Sequence, residues 1–387
     1  MVNKLKTTMF MQNFTHQCVG IDISKLSFTA CVCKRQLAGQ QSTNDVVEFE
    51  NNKRGFNQFV KWSRKNTEIS IPAVYAMEAT GIYYESLAYH LSRLNLQVSV
   101  ILPNKVKHFS KSLNIKTKTD IVDARIIGKM GVERTLELWE PPDPIFKKLR
   151  SLTRLYTDLK KEKTTFTNRL DSCKSGESPL LFIVNSNKTI IKGIELQIVK
   201  CGAEIKSLLY SEEWLASKVN KLLSIKGVGL ITVAIILAET QGFKLIRNGK
   251  QLASYAGYDV VQRDSGTSIK GKTRISKKGN SRIRGALHFP SLVSSRFNPK
   301  MKSIYTRINT DKASKMVGAT AIQRKILLLL YTLWKKDETF NENYLEPATD
   351  QQPDPLLTFR NEVGRSMDLP TQDEHKVDRS TVVLLRE

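Results

Sequence analysis

Residues 17–34, QCVGIDISKLSFTACVCK, decide the fold that this sequence predicts. Apolar residues fill Gln17–Ser24 and Ser27–Lys34, and a tight turn separates these two runs. Both runs are predicted to be β-strands, and Val46–Glu50 adds a third. The chain therefore opens with hairpin strands.

Strands and helices alternate after this hairpin. The pattern predicts a helix at Asn51–Asn66, a strand at Ala73–Met77, a helix at Tyr83–Leu94, a strand at Leu96–Leu102 that ends at Pro103, and a helix at Asp120–Val132 with Thr119 as its N-cap. Hairpin strands followed by alternating strands and helices predict an α/β N-terminal domain with a mixed sheet of the ribonuclease H type.

Four acidic residues lie where these elements end. Asp22 in VGIDISK ends the first strand at the centre of the sheet, and Glu78 in VYAMEATG closes the strand beside it. Asp120 and Asp123 in KTKTDIVDA are three residues apart and share one helix face. Four such carboxylates suit Mg²⁺ or Mn²⁺, and two ions could activate an attacking oxygen and stabilise a leaving one. Taken singly, Asp22 is equally explained as a turn residue and Asp120 as a helix-start acid that supports the helix dipole.

The charge of the chain points to a polyanionic partner. Its 387 residues include 61 Lys and Arg against 37 Asp and Glu, a formal net charge of +24. The surplus is spread along the chain, which favours an extended nucleic-acid-binding surface over a set of solvated faces. With 40% hydrophobic residues, the chain is long enough for two or three domains.

Nothing in the sequence predicts export or membrane insertion. The N-terminal MVNKLKTTMFMQNF lacks an apolar core of signal-peptide length, and the longest apolar run, at Ile326–Leu330, is far shorter than the roughly 20 residues that span a bilayer. Five cysteines without a CxxC pair predict neither a zinc site nor a disulfide framework, and Cys31 and Cys33 fit core positions of the second strand. We expect a cytoplasmic protein with reduced thiols.

The middle of the chain, beyond the linker PPDP at residues 141–144, is predicted to be helical. Leucine spacing predicts an amphipathic helix at Phe146–Leu170, and a break at SGESP, residues 175–179, precedes a second helix at Lys188–Leu209. Two long helices joined by a loop predict a coiled-coil hairpin that carries dimerisation or binds nucleic acid. Simple packing onto a neighbouring domain explains the same pattern.

A mainly α C-terminal domain is expected next. In LLSIKGVGLITVAIILAET, residues 222–240, Gly227 and Gly229 separate two apolar helical runs. This resembles a helix-hairpin-helix, whose backbone N–H groups hold a phosphate, although ordinary helix–helix turns also contain Gly. A buried helix at Ala319–Lys335 closes the domain. The residues from Leu345 onward, which include more acids than bases, are expected to form a flexible tail.

The segment SYAGYDVVQRDSGTSIKGKTRISKKGNSRIRGALH, residues 254–288, combines a serine in a loop with many cations. Ser265 has no neighbouring His or Asp for a protease-like triad, and turn chemistry alone explains a serine there. A serine that attacks phosphorus can instead be served by arginines and by a metal on another domain. The candidates for nucleic-acid contacts are Arg263, Lys270, Lys272, Arg274, Lys277, Lys278, Arg282 and Arg284.

The order of these motifs resembles that of the IS110/IS1111 transposases, a group that includes related site-specific DNA invertases. GIDISK, MEATG and KTDIVDA precede the coiled-coil region, and IKGVGLITVAIILAE and SYAG…SG…ISKKGNSRIR follow it, so the resemblance covers residues 17–344. It implies a RuvC-like domain whose DEDD tetrad (Asp22, Glu78, Asp120, Asp123) holds Mg²⁺, and a C-terminal transposase domain with Ser265 as nucleophile.

The same resemblance implies how such a protein works. The serine forms a transient phosphoserine link with DNA, and the two domains make composite sites across the subunits of a dimer or tetramer. The enzyme recombines the element ends or a circular form of the element with target DNA, guided by a structured noncoding RNA. A bacterial cytoplasmic protein associated with the nucleoid is implied, without membrane partners.

The motifs also predict a domain plan: an N-terminal extension at 1–16, a RuvC-like domain at 17–140, a coiled-coil linker at 141–215, a transposase domain at 216–344 and a tail at 345–387. Other functions stay open from the residues alone. A RuvC-like endonuclease would use the same tetrad with water, and a tyrosine recombinase would use Tyr255 or Tyr258. GIDISK also fits the first phosphate motif of actin-like sugar kinases, and a nucleic-acid-binding protein with a vestigial metal site needs no chemistry.

Overall fold

The computed structural model describes residues 14–341, except residues 80, 245, 263, 266–268 and 271–272. For residues 264–265 and 269–270 it describes the backbone alone. Most of the predicted N-terminal extension and the whole predicted tail lie outside the described residues. The chain divides into two compact units, one combining the residues up to Ser211 with Ile231–Ala286, the other combining Glu212–Leu230 with the residues from Leu287 onward. The predicted domain boundaries stay a prediction.

A six-stranded sheet forms the core of the first unit. Its strands are β1 (Phe14–Ile23), β2 (Ser27–Gln36), β3 (Gln41–Thr43), β4 (Val47–Glu50), β5 (Ala73–Glu78) and β6 (Gln97–Ile101). β1 pairs antiparallel with β2 and parallel with β5, β3 and β4 both pair with β2, and β6 lies beyond β5. The order β3–β2–β1–β5–β6 therefore joins an antiparallel half to a parallel half. The predicted α/β domain with a mixed sheet is confirmed.

Helices cover both faces of this sheet. They are α1 (Lys53–Asn66), α2 (Glu85–Arg93), α3 (Pro103–Ser112) and α4 (Asp120–Glu133). Alternate residues of a strand point to opposite faces. Val19 and Ile21 thus join an apolar cluster with residues of α1 and α2, and Cys18 joins a second cluster with residues of α3 and α4. Each large apolar side chain buried in this way contributes roughly 1.5–3 kcal/mol.

Two elements of this half do not appear in the sequence-based expectation. β6 ends at Ile101, and Pro103 begins α3. Proline fits the first turn of a helix, because no intrahelical N–H bond is needed there. The three-residue β3 is too short to show a period. Cys31 and Cys33 are fully buried, which confirms them as core residues, and all five cysteines are free thiols.

Two long helices continue the first unit. α5 (Pro144–Lys174) and α6 (Leu181–Leu209) pack along one another, which confirms a helical hairpin. α6 begins seven residues before the expected Lys188, so that Leu181 and Phe182 are helical although 73% and 75% exposed. Leu149 of α5 is buried as its spacing suggests, whereas Leu155 is 51% exposed.

The rest of the described chain is mainly helical, as expected. Its helices are α7 (Glu213–Leu223), α8 (Leu230–Thr240), α9 (Gly249–Ala256), α10 (Ser281–Ala286), α11 (His288–Phe297), α12 (Pro299–Asn309) and α13 (Met316–Lys336). Four two-residue strands lie between α9 and α10: β7 (Val260–Val261), β8 (Asp264–Ser265), β9 (Ile269–Lys270) and β10 (Arg274–Ile275). β7 pairs with β10 and β8 pairs with β9, both antiparallel, so this segment is a two-part β-ribbon.

In the second unit α13 is the central helix. It packs against α7, α11 and α12, and Ile322, Ile326 and Leu330 are fully buried. Within the part of the chain that the structure describes, α13 is the one helix long and apolar enough to cross a membrane. Length and composition of a single helix are weak evidence for insertion, because the core helix of a soluble protein passes the same test. The packing of α13 is that of a core helix.

Candidate active site

The parallel pairing of β1 and β5 brings the first two candidate acids side by side. Gly20 pairs with Ala76 and Ile21 with Met77, so Asp22 and Glu78 follow at the same level of neighbouring strands. Side chains at the same level of paired strands point to the same face of the sheet. Both carboxylates therefore lie on the face that α4 covers.

Close packing of α4 on β1 brings in the other two acids. The backbone of α4 at Ala124 and Gly128 contacts Gly20 so closely that a side chain on Gly20 has no room, and a Cβ on Gly128 would lie 2.5 Å from Cys33 Sγ of β2. The first turn of α4 is fixed from two sides. Thr119 caps it by accepting a hydrogen bond from the Val122 N–H at 3.3 Å, and Thr29 Oγ1 of β2 donates to the carbonyl oxygen of Asp120 at 3.1 Å. Asp120, at the start of α4, is thereby tied to the central strands.

The four carboxylates are close enough to change one another's protonation. The pKa of Asp22 rises to about 6, first because the side chain is partly buried and then because Asp123, Asp120 and Glu78 surround it with negative charge. Burial and Asp123 also raise the pKa of Glu78, an effect that Lys118 partly offsets. The pKa of Asp123 is likewise raised by burial. The structure thus brings the four predicted acids together around Asp22.

These acids do not form a finished metal cage. Among the residues that the structure describes, no three His, Cys, Asp or Glu side chains are grouped tightly enough to hold a metal ion. Lys118 lies near this group, and its positive charge offsets part of the rise in the pKa of Glu78 and of Asp123. The sequence analysis did not single out Lys118, since it stands among several other lysines.

Ser265 lies on the β-ribbon of the first unit. Its backbone belongs to β8 and pairs with Ile269 of β9. The side chains of Ser265 and Lys270, and all of Arg263 and Lys272, lie outside the described residues. The loop that the sequence predicts around the serine therefore contains short paired strands.

The other cations predicted to contact nucleic acid divide into two groups. Arg274, Lys277 and Lys278 are at least partly exposed. The Nη1 of Arg284 donates to the carbonyl oxygen of Ala256 at 2.8 Å, so Arg284 is engaged within the protein. The Nη1 of Arg282 lies 3.8 Å from Asp158 of α5, and among the described residues this buried atom has no hydrogen-bond partner. Nucleic-acid contacts by these five residues stay a prediction.

The glycine turn belongs to the second unit. Gly227 has a φ of 91°, which L side chains rarely adopt, and a Cβ there would also lie 3.0 Å from Ser294 Oγ and from Val293 Cγ1. Ser294 Oγ donates to the carbonyl oxygen of Lys226 at 2.9 Å, which fixes the turn on α11. The backbone at Gly229 is exposed with open space around it. The turn between two helices is as expected, and phosphate binding there stays a prediction.

Of the two candidate tyrosine nucleophiles, Tyr258 is buried, whereas Tyr255 is 37% exposed but its hydroxyl is engaged in a hydrogen bond. Tyr258 is 1% exposed, and burial raises its pKa. The hydroxyl of Tyr255 donates to the carbonyl oxygen of Glu239 at 2.7 Å, and burial raises its pKa as well. A nucleophile must reach DNA and lose its proton, so neither tyrosine is suited to that role.

Sequence reasoning also missed a buried carboxylate. Glu239 of α8 is 3% exposed and accepts hydrogen bonds from Arg154 of α5 at 2.9 and 3.1 Å and from Asn280 at 2.8 Å. These bonds hold its pKa below the ordinary value although burial opposes this. The one available sign was a lone acid in the apolar run ITVAIILAET.

Comparison with known proteins places this arrangement in a family. Residues 19–175 match a transposase domain of the DEDD type from IS110 elements, and residues 219–306 match the transposases of the IS116/IS110/IS902 family. The chain belongs to the IS110 family of transposases. The two matches include the four acids and Ser265, and the recognition made from the motifs is confirmed.

Individual relatives extend over most of the chain. The pilin gene-inverting protein of Moraxella bovis is 26% identical over 330 residues, which is 85% of this chain and 98% of that protein. The transposase of insertion element IS1328 from Yersinia enterocolitica is 24% identical over 242 residues, 56% of this chain and 69% of that protein. Among solved structures, the Ppx/GppA protein of Aquifex aeolicus covers 84% of this chain and 92% of its own at 10% identity, and its TM-score of 0.20 is too low to carry an argument.

Proposed function

We propose that this IS110-family transposase cuts and rejoins DNA by metal-dependent phosphoryl transfer, with Ser265 as the nucleophile. The observation that carries the proposal is the convergence of Glu78, Asp120 and Asp123 on Asp22, in a chain with a formal net charge of +24. Acids gathered in a protein built to approach a polyanion need a cation between them and the substrate. The family itself establishes a DNA-modifying enzyme with DNA as its partner.

The strand order supports a ribonuclease H-like, RuvC-like fold for the N-terminal domain. An antiparallel hairpin is followed by two parallel strands, with β1 in the centre of the sheet and acids at the ends of β1 and β5. In open sheets with parallel strands, sites form at the carboxyl ends of the strands. This is the position of Asp22 and Glu78.

The donor set fits a hard divalent cation. Four carboxylates offer only oxygen ligands, which Mg²⁺ and Mn²⁺ prefer, and burial together with the three neighbouring carboxylates raises the pKa of Asp22. Asp22, Glu78, Asp120 and Asp123 would hold the ion. When bound, it would neutralise these carboxylates and offer positive charge to the phosphates of DNA.

The serine step conserves the energy of the phosphodiester. The Oγ of Ser265 forms a bond to phosphorus while the bond from phosphorus to one sugar oxygen breaks; the serine proton leaves to solvent and the departing oxygen gains one. Attack by a sugar hydroxyl on the phosphoserine reverses these changes and joins new strands, so ATP is not required. Exposed Arg274 and Lys278 could then bind the backbone of the strands.

The partners follow from the same proposal. Substrates are element ends or a circular form of the element together with target DNA, and a noncoding RNA guides the choice of target. Ser265 and the acids would meet in composite sites within a homo-oligomer, a dimer or tetramer, in the bacterial cytoplasm. The coiled-coil hairpin of α5 and α6 is the expected contact between subunits.

The test uses the full chain, co-expressed with the DNA that flanks its gene, and a labelled duplex that carries the element junction. With Mg²⁺ we expect a protein–DNA adduct that survives denaturing electrophoresis, and its loss in Ser265→Ala, in Asp22→Ala and in EDTA. Cleaved DNA without attached protein would identify a nuclease that uses water and refute the serine. Tight binding that is indifferent to Mg²⁺ and to Asp22→Ala, with no cleavage, would refute catalysis.

A further inference from the structure

Glu239 is the most deeply buried charged side chain among the described residues, and it joins segments that are far apart in sequence. Its carboxylate accepts two hydrogen bonds from the guanidinium of Arg154 on α5 and one from the side-chain amide of Asn280. Its backbone carbonyl accepts one from the hydroxyl of Tyr255 on α9. A buried carboxylate bound in this way is held rigidly, because losing any partner leaves charge or polar groups unpaired.

Two of these partners form the base of the β-ribbon. The N–H of Asn280 donates to the carbonyl oxygen of Tyr255 at 2.8 Å, which closes the chain between α9 and α10 into a loop. The side-chain oxygen of Asn280 also accepts from the N–H groups of Arg282 at 3.0 Å and Ile283 at 3.3 Å and so caps α10. Asn280 thus fixes the ribbon base to both α8 and α10.

Above this base the two arms of the ribbon are locked together. The N–H of Lys277 donates to the carbonyl oxygen of Gly257 at 3.1 Å, and the N–H of Ser276 donates to that of Asp259 at 2.8 Å. Gly257 has a φ of 76°, and a Cβ on Gly279 would lie 2.5 Å from its nitrogen, so the arms touch backbone to backbone. The pairing of β7 with β10 continues this stem toward the strand of Ser265.

We infer that Glu239 is a positioning residue for the serine nucleophile: it fixes the base of the β-ribbon, and thereby the direction in which the ribbon presents Ser265. The inference rests on the proposed function. Glu239 touches neither DNA nor the reacting atoms; it acts through Asn280 and Tyr255 and couples the ribbon to α5 through Arg154. In-line attack on phosphorus depends on sub-ångström placement, so a loosened ribbon slows chemistry more than it weakens DNA binding.

The chemistry of the cluster supplies a specific test variant. In Glu239→Gln the oxygen that accepts from both Asn280 and Arg154 Nη2 becomes an NH₂ group, which can accept from neither, while the other oxygen still accepts from Arg154 Nε. Adding Asn280→Asp restores a match, because the amide introduced at position 239 then donates to one oxygen of the carboxylate introduced at position 280. The second oxygen of that carboxylate still accepts from the N–H groups of α10. The double variant therefore restores the hydrogen bond between positions 239 and 280 with different atoms, while Arg154 keeps only the bond from its Nε.

The experiment measures the rate of adduct formation at saturating junction DNA, together with DNA affinity and Tm, on the full chain. We expect Glu239→Gln to slow the adduct about 100-fold with affinity within about threefold of wild type, and the double variant to recover to within about tenfold. Glu68→Gln, which removes the Lys34–Glu68 ion pair outside the α5–α6 hairpin, is the matched control and should keep the wild-type rate.

The outcomes separate the two claims. If the wild type forms no Ser265-dependent adduct, the proposed function falls and this inference falls with it. If the wild type forms the adduct and Glu239→Gln keeps its rate, or if the double variant is as slow as the single one, the inference alone is refuted. Should Glu239→Gln fail to fold, Tyr255→Phe removes one hydrogen bond to Glu239 and is expected to slow the adduct several-fold; an unchanged rate then refutes the inference.

Discussion

Asp22→Asn is expected to stabilise the metal-free protein while it abolishes DNA cleavage. In the native protein the pKa of Asp22 is raised from 3.8 to about 6 by burial and by three neighbouring carboxylates. Well below pH 4 Asp22 is protonated in both the folded and the unfolded chain, so the shift has no effect on stability there. Between about pH 4 and pH 6 the unfolded chain releases this proton while the folded chain keeps it, so the folded state loses stability, and the loss is complete above about pH 6.

The size of this loss follows from the shift. About two pKa units correspond to roughly 3 kcal/mol, and because Asp22 is only partly buried, screening by solvent reduces the expected effect to about 1–2 kcal/mol. Asparagine keeps the shape of the side chain without the charge. Thermal unfolding in EDTA at pH 7.5 should therefore give a Tm about 2–6 °C higher for Asp22→Asn than for the wild type. The difference should shrink as the pH falls and vanish well below pH 4.

Magnesium should act in the opposite direction. A cation that binds the folded protein raises the Tm of the wild type in proportion to its occupancy, and the variant, which lacks a ligand, should respond much less. Glu162→Gln on the exposed surface of α5 changes net charge equally and serves as control. A lower Tm for Asp22→Asn in EDTA at pH 7.5, or a gain that persists unchanged at pH 4, would refute the claim that the acids repel one another.

Two further pairs of variants test packing and surface chemistry. Gly128→Ala puts a Cβ 2.5 Å from Cys33 Sγ and should destabilise the protein by about 1–3 kcal/mol in urea unfolding. The control Gly193→Ala, whose Cβ has nothing within 4 Å, should stabilise α6 by up to about 1 kcal/mol. Equal effects of the two substitutions would contradict the close packing of α4 on the sheet. Arg284→Ala should lower the Tm, because it removes a partly buried hydrogen bond. Lys278→Ala, at an exposed position, should leave the Tm unchanged and reduce the salt slope of DNA binding by about 1. The reverse pattern would show that Lys278 is the structural residue and Arg284 the one that contacts DNA.

The sequence predicted the sheet and its acids well because local patterns carry that information. Alternation fixed the first two strands to within a few residues, and Thr119 caps α4 as its residue type suggests. The convergence of Asp22 with Glu78 follows from parallel pairing, and that of Asp120 from a helix packed on the central strand. The first was predicted from the order of elements, whereas the packing of the helix on the central strand came from the structure.

Contacts between distant segments could not be predicted in the same way. Glu239 meets Arg154 across 85 residues and Asn280 across 41, and no periodicity relates those positions. The early start of α6 escaped because Leu181 and Phe182 are exposed, which hides them from a search for a buried face. Leu155 has the helical spacing of a buried residue and is nevertheless exposed. Spacing alone therefore does not tell which apolar residues pack against a partner.

Where α4 packs on the central strands, two helix positions each compete for space with one position of the sheet. The thiols of Cys33 and Cys18 occupy the space where side chains on Gly128 and Gly131 would lie. Atoms added to the helix must therefore be removed from the sheet, so Gly128→Ala should be tolerated best together with Cys33→Ala. In related sequences we expect a larger residue on the helix to be paired with a smaller residue on the sheet, and the reverse. The distance between helix and sheet would then be conserved even where the residues differ.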